Sequence, residues 1–263
     1  MFWRKLLGAG VVLAILAAAS WLPVPAGHAL PASTPPATSL ARPALAPPPS
    51  WPVAAPDPVQ AVQAFFWSLG IAVAGQHGAP AKVDAATAGP FARAYTYLSP
   101  QWQARQAFAE FLRQWTPVQH LDLLATVPAG TAGGGSTTSR VFVEVRELSA
   151  GADGATPLCL CFAYGFFTAV ATSHGFRLSG GRLIPEDFTP TLVGNRSAGA
   201  AATAAAKAVA AARGWSGPPS ASVRLTPQPH HQATASVAIS HHAVTVHLYE
   251  LASGDWIAVR SSA

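Results

Sequence analysis

Charged residues are scarce in this chain, and their scarcity limits the partners that can be expected. Only 10% of the 263 residues are Asp, Glu, Lys or Arg, although the formal net charge is +5. Arg4, Lys5 and Arg42 are expected to lie outside the folded part, which leaves 13 basic against 11 acidic residues. Since these charges form no basic run, the sequence predicts no nucleic-acid partner.

Cysteine is also rare, and the chain has two, Cys159 and Cys161. On an extended strand their Cα atoms would lie about 6.5–7 Å apart, at or beyond the limit for a disulfide. No further Cys or His lies close by in the sequence to complete a metal site. We interpret the pair as two small buried apolar residues, with a redox or metal pair as the alternative.

One long apolar run is present, at the N-terminus. Arg4 and Lys5 precede an uncharged stretch from Leu6 to Leu22, a pattern typical of export signals. We predict a signal peptide or N-terminal membrane anchor over residues 1–22, and residues 6–22 cross the membrane if they are not cleaved. The anchor is slightly favoured. The predicted location is extracytoplasmic, either membrane-anchored by the N-terminus or secreted after cleavage.

Residues 23–56 are dominated by Pro, Ala, Ser and Thr. Such a segment has too little bulky apolar surface to fold, and its prolines favour extended geometry. The sequence predicts a disordered linker that holds the folded part away from the membrane.

Helical patterns follow from Asp57, which is an N-cap residue placed before Pro58. We predict one helix ending near Gly75 and a second over about 84–98. Ser99 and Pro100 then start a third helix that Pro117 stops. The apolar stripe of this third helix consists of Ala104, Phe108, Phe111, Leu112 and Trp115.

Beyond Pro117 the period becomes that of strands, and an antiparallel sheet is predicted up to about residue 190. Val141, Val143 and Val145 alternate with Glu144 and Arg146. We therefore expect the three valines in the core and Glu144 at the outer surface.

The helix 57–75, the corner Tyr97-Leu-Ser-Pro100, the helix to Trp115 and the strands Gly175-Phe-Arg-Leu and Leu183-Ile-Pro-Glu186 resemble the nuclear-transport-factor-2-like superfamily, in its extracytoplasmic bacterial form. The resemblance covers residues 57–190. It implies an α+β fold in which three N-terminal helices pack in a strongly curved antiparallel sheet, forming a cone with an apolar pocket. The superfamily contains isomerases and dehydratases as well as domains without chemistry, so the fold does not decide the activity.

An isomerase-like site needs a carboxylate base and hydrogen-bond donors in the pocket. His120 and Asp122 share one face of the first strand, and we expect both to face water. The sequence therefore predicts no catalytic residue and no enzyme, with an isomerase- or dehydratase-like activity as the less favoured alternative. The candidate residues for a ligand pocket are Tyr95, Tyr97, Trp102, Phe108, Trp115 and Phe142.

Residues 198–263 read as a small α+β domain, a helix followed by a β-meander. Ser197 caps the Ala-rich helix, and three or four strands follow. At this length the segment is expected to pack against the first domain. Its histidines are separated along the predicted hairpin, so no metal and no cofactor are predicted; they are His230, His231, His241, His242 and His247.

Two functions are compatible with these features. The first is a non-catalytic interaction or scaffold protein of the cell envelope with an envelope protein partner. Its layout resembles accessory components of secretion or conjugation machines, and a homodimer through the sheet face is one further arrangement. The second is a module that binds a small hydrophobic or lipid-like ligand in the cone pocket. A cavity lined by the candidate aromatic residues would favour the second function, and a closed core with exposed apolar patches would favour the first.

Overall fold

The computed structural model describes residues 42–45, 54–75, 85–131, 137–149, 159–186, 197–215 and 222–263. The predicted signal peptide or anchor and most of the predicted linker lie outside the described residues. No helix among those described is long and apolar enough to cross a membrane. All described residues fall within one compact unit that starts at Pro36.

The described residues form five helices: α1 Pro58–Ala74, α2 Ala85–Thr96, α3 Pro100–Arg105, α4 Phe108–Trp115 and α5 Ala198–Ala212. The three predicted N-caps are confirmed. The Asp57 side chain accepts a hydrogen bond from the backbone N–H of Gln60, and Ser99 and Ser197 cap α3 and α5 in the same way. These oxygens satisfy N–H groups that have no partner inside the helix.

In the same described ranges, eight strands form two four-stranded antiparallel sheets, ordered β1-β2-β3-β4 and β5-β6-β7-β8. The bounds of the first sheet are β1 Val118–Thr131, β2 Thr138–Ser149, β3 Cys159–Thr172 and β4 Gly175–Pro185. The bounds of the second sheet are β5 Val223–Gln228, β6 Gln232–Ile239, β7 His242–Glu250 and β8 Trp256–Ser262.

The predicted fold class is therefore wrong. The described chain is mostly β, and it does not consist of three N-terminal helices packed in a strongly curved sheet with a small module added. The predicted third helix is two helices, because Gln106 has extended backbone angles (φ −132°, ψ 100°). The C-terminal segment supplies a second sheet with as many strands as the first, and periodicity along the chain does not reveal that two sheets pack together.

Each sheet has a core of its own, and a third cluster joins the two sheets. α1 and the other N-terminal helices cover one face of the first sheet, and α5 covers one face of the second. Between the sheets, side chains of the first meet side chains of the second; they are Ala125, Val127, Phe142, Tyr164, Tyr249, Leu251, Ile257 and Val259. The expected packing of the C-terminal segment against the first domain is confirmed.

A β-bulge in β1 determines which residues face the second sheet. Leu121 and Leu123 pack with the helices, whereas Ala125 and Val127 pack between the sheets. All four have the same parity, but the register shifts between Leu123 and Ala125. The extra residue of a bulge turns the following side chains to the opposite face.

Glu144 was expected at the outer surface, and this expectation is wrong. It does lie opposite the core valines of β2, but the second sheet covers that face and Glu144 is 0% exposed. Arg42, expected outside the folded part, also lies inside: its Nη1 donates to Glu144 Oε2 at 2.9 Å and its Nη2 to Leu251 O at 3.1 Å. The described residues 42–45 thus belong to the fold.

The interpretation of the two cysteines as small buried apolar residues is wrong for Cys161, which is disulfide-bonded on β3. Sequence spacing alone placed the pair at the limit of disulfide geometry and did not decide between the two states.

Candidate functional site

The candidate site lies beside the short extended segment that separates α3 from α4. The Tyr95 hydroxyl donates to the carbonyl oxygens of Gln103 and Gln106, at 3.2 and 2.7 Å. The Gln103 side-chain amide donates back to Tyr95 O at 2.8 Å. These bonds hold the extended residue Gln106 against the end of α2, so that α4 starts in a new direction.

A cavity of about 300 Å³ lies where α3 and α4 approach β4. Its lining is aromatic and aliphatic, with a few polar side chains; the residues are Phe65, Leu98, Trp102, Gln106, Phe111, Gln114, Trp115, Phe167, Gly181, Arg182 and Leu183. Concave apolar sites with a small number of polar groups are typical of ligand binding.

Aromatic rings in mutual contact form the apolar part of this cavity. The Phe65 ring lies 6.2 Å from Phe111 and 6.4 Å from Phe167, and Trp102 is stacked on Phe167 at 6.4 Å. Gly181 makes room for them, because a Cβ there would lie 2.4 Å from an atom of the Phe167 ring. Any side chain at position 181 would therefore displace the Phe167 ring, which packs against the glycine.

Three polar side chains of the cavity lining are connected by hydrogen bonds. Trp102 Nε1 donates to Gln106 Oε1 at 3.1 Å, and Gln106 Nε2 donates to Gln114 Oε1 at 2.8 Å. The exposed Arg182 forms no ion pair with any side chain in the described segments. The described residues of the lining include no carboxylate, His, Cys or hydroxyl side chain, and so none of them is a candidate for general acid–base chemistry.

Trp115 adds a buried donor to the lining. Its side chain is nearly buried (7% exposed), and Nε1 has no hydrogen-bond partner in the described part of the chain. Buried donors without a partner are rare and costly, and one at a cavity is a group that a ligand can satisfy.

Of the six predicted pocket residues, Trp102 and Trp115 line the cavity. Tyr95 and Phe108 pack against each other behind it, with ring centroids 5.2 Å apart. Tyr97 lies in the core between the N-terminal helices and the first sheet, with Arg177 Cζ 5.9 Å from the centre of its ring. Phe142 lies between the two sheets instead.

The six predicted pocket residues do not include Phe65, Phe111, Phe167 or Arg182, which also line the cavity. Phe111 belongs instead to the predicted apolar stripe of the third helix. The Gly180-Gly181 pair before Arg182 was the available signal, since a glycine in a strand often marks a close approach.

A second cluster of ionisable groups lies around Glu144, which is fully buried, while Glu186 beside it is partly exposed. The Glu144 carboxylate accepts hydrogen bonds from Arg42 and from the backbone N–H of Ala252. Burial and the adjacent Glu144 carboxylate raise the pKa of Glu186 to about 9, so that Glu186 is protonated at neutral pH and can donate to Glu144. Burial and Glu144 likewise raise the pKa of Tyr249.

The remaining candidates lie apart from the cavity. Asp122 accepts hydrogen bonds from Arg146 and lies 3.0 Å from His120, and neither Asp122 nor His120 lines the cavity. His231 lies 3.4 Å from Glu250, and the ring of His242 is stacked on Trp215 at 3.9 Å. Within the described ranges no three His, Cys, Asp or Glu side chains come together as metal ligands.

The chain matches no family model, no curated protein and no solved structure. The resemblance to the nuclear-transport-factor-2-like superfamily therefore stays a prediction.

Proposed function

We propose that the protein is a non-catalytic binding module whose cavity between α3, α4 and β4 takes a compact, mainly apolar group. The observation that carries this proposal is the open cavity of about 300 Å³ with an aromatic lining. Its polar groups are donors and amides, and none of its described side chains is a general acid or base. Such a lining binds and orients a ligand without reacting with it.

The exposed surface supports this choice over the scaffold function. Among the described residues only two large apolar side chains are strongly exposed, Ile71 at 54% and Leu225 at 42%. They lie on different elements, α1 and β5, so they form no broad apolar patch of the kind that marks a protein interface. An envelope protein partner, a homodimer through the sheet face and an extracytoplasmic location stay predictions.

The experiment is a titration of the full-length chain with 1-anilinonaphthalene-8-sulfonate, a compact apolar anion whose fluorescence rises in apolar sites. We expect saturable binding of one dye per chain. The variant Gln114→Trp should weaken binding at least about tenfold, because the larger side chain occupies part of the cavity. The dye then loses binding free energy comparable to that of one buried apolar contact.

Gln101→Trp is the matched control, since Gln101 is an exposed residue of α3 outside the cavity lining. It should bind the dye like the unmodified chain. Equal binding by both variants would place the dye elsewhere and contradict the proposal.

A further inference from the structure

The cavity adjoins a free edge of the first sheet. β4 is the last strand in the order β1-β2-β3-β4, so one of its edges has no neighbouring strand within the described parts of the chain. An edge of this kind presents backbone N–H and C=O groups that another chain can pair with.

Segments of the same chain already cover the first half of that edge. The N–H of Phe176 donates to Ala55 O at 2.9 Å, and the N–H of Leu178 donates to Tyr97 O at 2.8 Å. Ser99 N–H donates to Leu178 O at 2.7 Å. Arg105 Nη2 then donates to Ser179 O at 2.9 Å, which completes the cover over residues 176–179.

This cover ends at the cavity. Beyond Ser179, no described segment makes a backbone hydrogen bond to the outer edge of residues 180–184. Three of these residues, Gly181, Arg182 and Leu183, line the cavity. An apolar cavity and an uncovered strand edge are therefore adjacent, and one ligand can use both.

The size and charge of the site limit that ligand. A volume of about 300 Å³ is at the lower end of the ~300–1,000 Å³ typical of small-molecule sites. It holds one compact apolar group, such as a single large side chain. Arg182 and Arg105 are exposed at this edge, and none of the described lining residues is a carboxylate, so a ligand with an acidic group is favoured.

Building on the proposed function, we infer that the ligand is an extended peptide segment of a partner protein. Its backbone adds to the edge of β4 at residues 180–184, one large apolar side chain enters the cavity, and a neighbouring acidic side chain lies near Arg182. Strand addition of this kind obtains affinity from main-chain hydrogen bonds and specificity from pockets for alternate side chains.

The test uses a displayed library of random dodecapeptides, selected against the full-length chain. We expect enrichment of peptides with a large apolar residue followed or preceded by Asp or Glu. One enriched peptide is then synthesised with blocked ends, and its affinity is measured by calorimetry. Hydrogen exchange of the complex should show slower exchange of amides within residues 180–184.

Two N-methylated versions of the peptide test the strand geometry. Only alternate residues of an edge strand point their N–H groups at the partner. Methylation of one alternate set should therefore weaken binding at least about tenfold, as expected for the loss of two or more hydrogen bonds, while methylation of the other set has little effect. Equal affinity of both versions would overturn the inference.

Arg182→Glu tests the charge preference and should weaken binding of the acidic peptide about two- to fivefold, the range of exposed charge pairs. Arg224→Glu, an exposed arginine on the edge strand β5, is the matched control and should bind normally. Unchanged binding by Arg182→Glu would contradict the acidic contact.

The outcomes separate this inference from the proposed function. If the dye binds in the cavity but the library yields no peptide that protects residues 180–184, the cavity proposal stands and the peptide inference fails. If neither the dye nor any peptide binds in a manner sensitive to Gln114→Trp, both fail.

Discussion

Glu144 and Glu186 place two carboxyl groups together, the first fully buried and the second partly exposed. Arg42 neutralises one charge through its 2.9 Å contact with Glu144. The second carboxyl stays neutral, because burial and the Glu144 charge raise the pKa of Glu186 to about 9. One arginine and one proton together balance the pair, so two like charges need not be buried side by side.

This arrangement predicts that stability falls as the pH rises. In the unfolded chain Glu186 loses its proton near its ordinary value of 4.5, whereas in the folded chain it keeps the proton up to about 9. Between these values the unfolded state binds fewer protons, so each rise in pH favours unfolding. Thermal unfolding measured from pH 5 to 9 should show a falling Tm.

Glu186→Gln should flatten that slope, because glutamine is neutral throughout and retains a donor for Glu144. Glu110→Gln, at an exposed position of α4, should keep the slope of the unmodified chain. A Tm that falls equally in both variants would show that Glu186 does not cause the pH dependence.

The buried glutamate pair is beyond what local sequence patterns reveal. The alternation of Val143, Glu144 and Val145 correctly separates two faces of β2, but it does not say whether water or another sheet lies on the second face. Arg42 is the partner of Glu144 from 102 positions away, and it stands in a segment whose composition predicted disorder. No local pattern connects two such positions.

At the scale of elements, Ser99 both caps α3 and connects the start of this helix to β4. Its side chain accepts a hydrogen bond from Trp102 N–H at 3.2 Å and so caps α3. Its backbone N–H donates to Leu178 O on β4, which fixes the helix start to the sheet edge. Ser99 is 0% exposed, so its hydroxyl has no water to replace a lost partner.

Ser99→Ala should therefore destabilise the protein by about 1–2 kcal/mol, the upper part of the range for lost N-caps. Ser197 caps α5 at an exposed position, and Ser197→Ala should cost about 0.5–1 kcal/mol. The measurement is urea unfolding of the two variants and the parent. A larger loss for Ser197→Ala than for Ser99→Ala would contradict this assignment.

Local chemistry explains which elements were predictable. N-cap oxygens, a first-turn proline and a 3.6-residue period act within one or two turns, so α1 and α5 start where the sequence predicted. The break at Gln106 was missed, because hydrogen bonds from Tyr95 decide it, and Tyr95 belongs to another helix. Two predicted short strands are one strand, β4, since its glycines pair with β3 rather than ending the strand.

At the scale of the whole molecule, the two sheets depend on one another. Phe142 is 0% exposed, and its ring lies 5.0 Å from Tyr249 of the second sheet and 5.5 Å from Phe166. Arg42 connects the N-terminal segment to both sheets through Glu144 and Leu251 O. The apolar cluster and the polar cluster lie side by side in the same interface.

We therefore predict a single cooperative unfolding transition for both sheets. Phe142→Ala should lower the free energy of unfolding by about 3–5 kcal/mol, as for other large-to-small core substitutions. Hydrogen exchange should show this loss in the amides of both sheets, because opening one exposes the apolar face of the other. Two separate calorimetric transitions, or a loss confined to β1–β4, would contradict the prediction.

The sequence by itself determined the features that act over short distances: the helix caps, the alternation along each strand, the aromatic residues near the α3–α4 corner and the uncharged N-terminal run. Tertiary structure alone decided that two sheets pack together and that Glu144 is buried. It also decided that Phe142 lies between the sheets rather than in the cavity, and that Arg182 lines the cavity. The physical reason is the distance along the chain over which each interaction acts. Caps and periodicity arise from neighbours within a few residues, whereas burial, ionisation and cavities depend on what the distant chain places on each face.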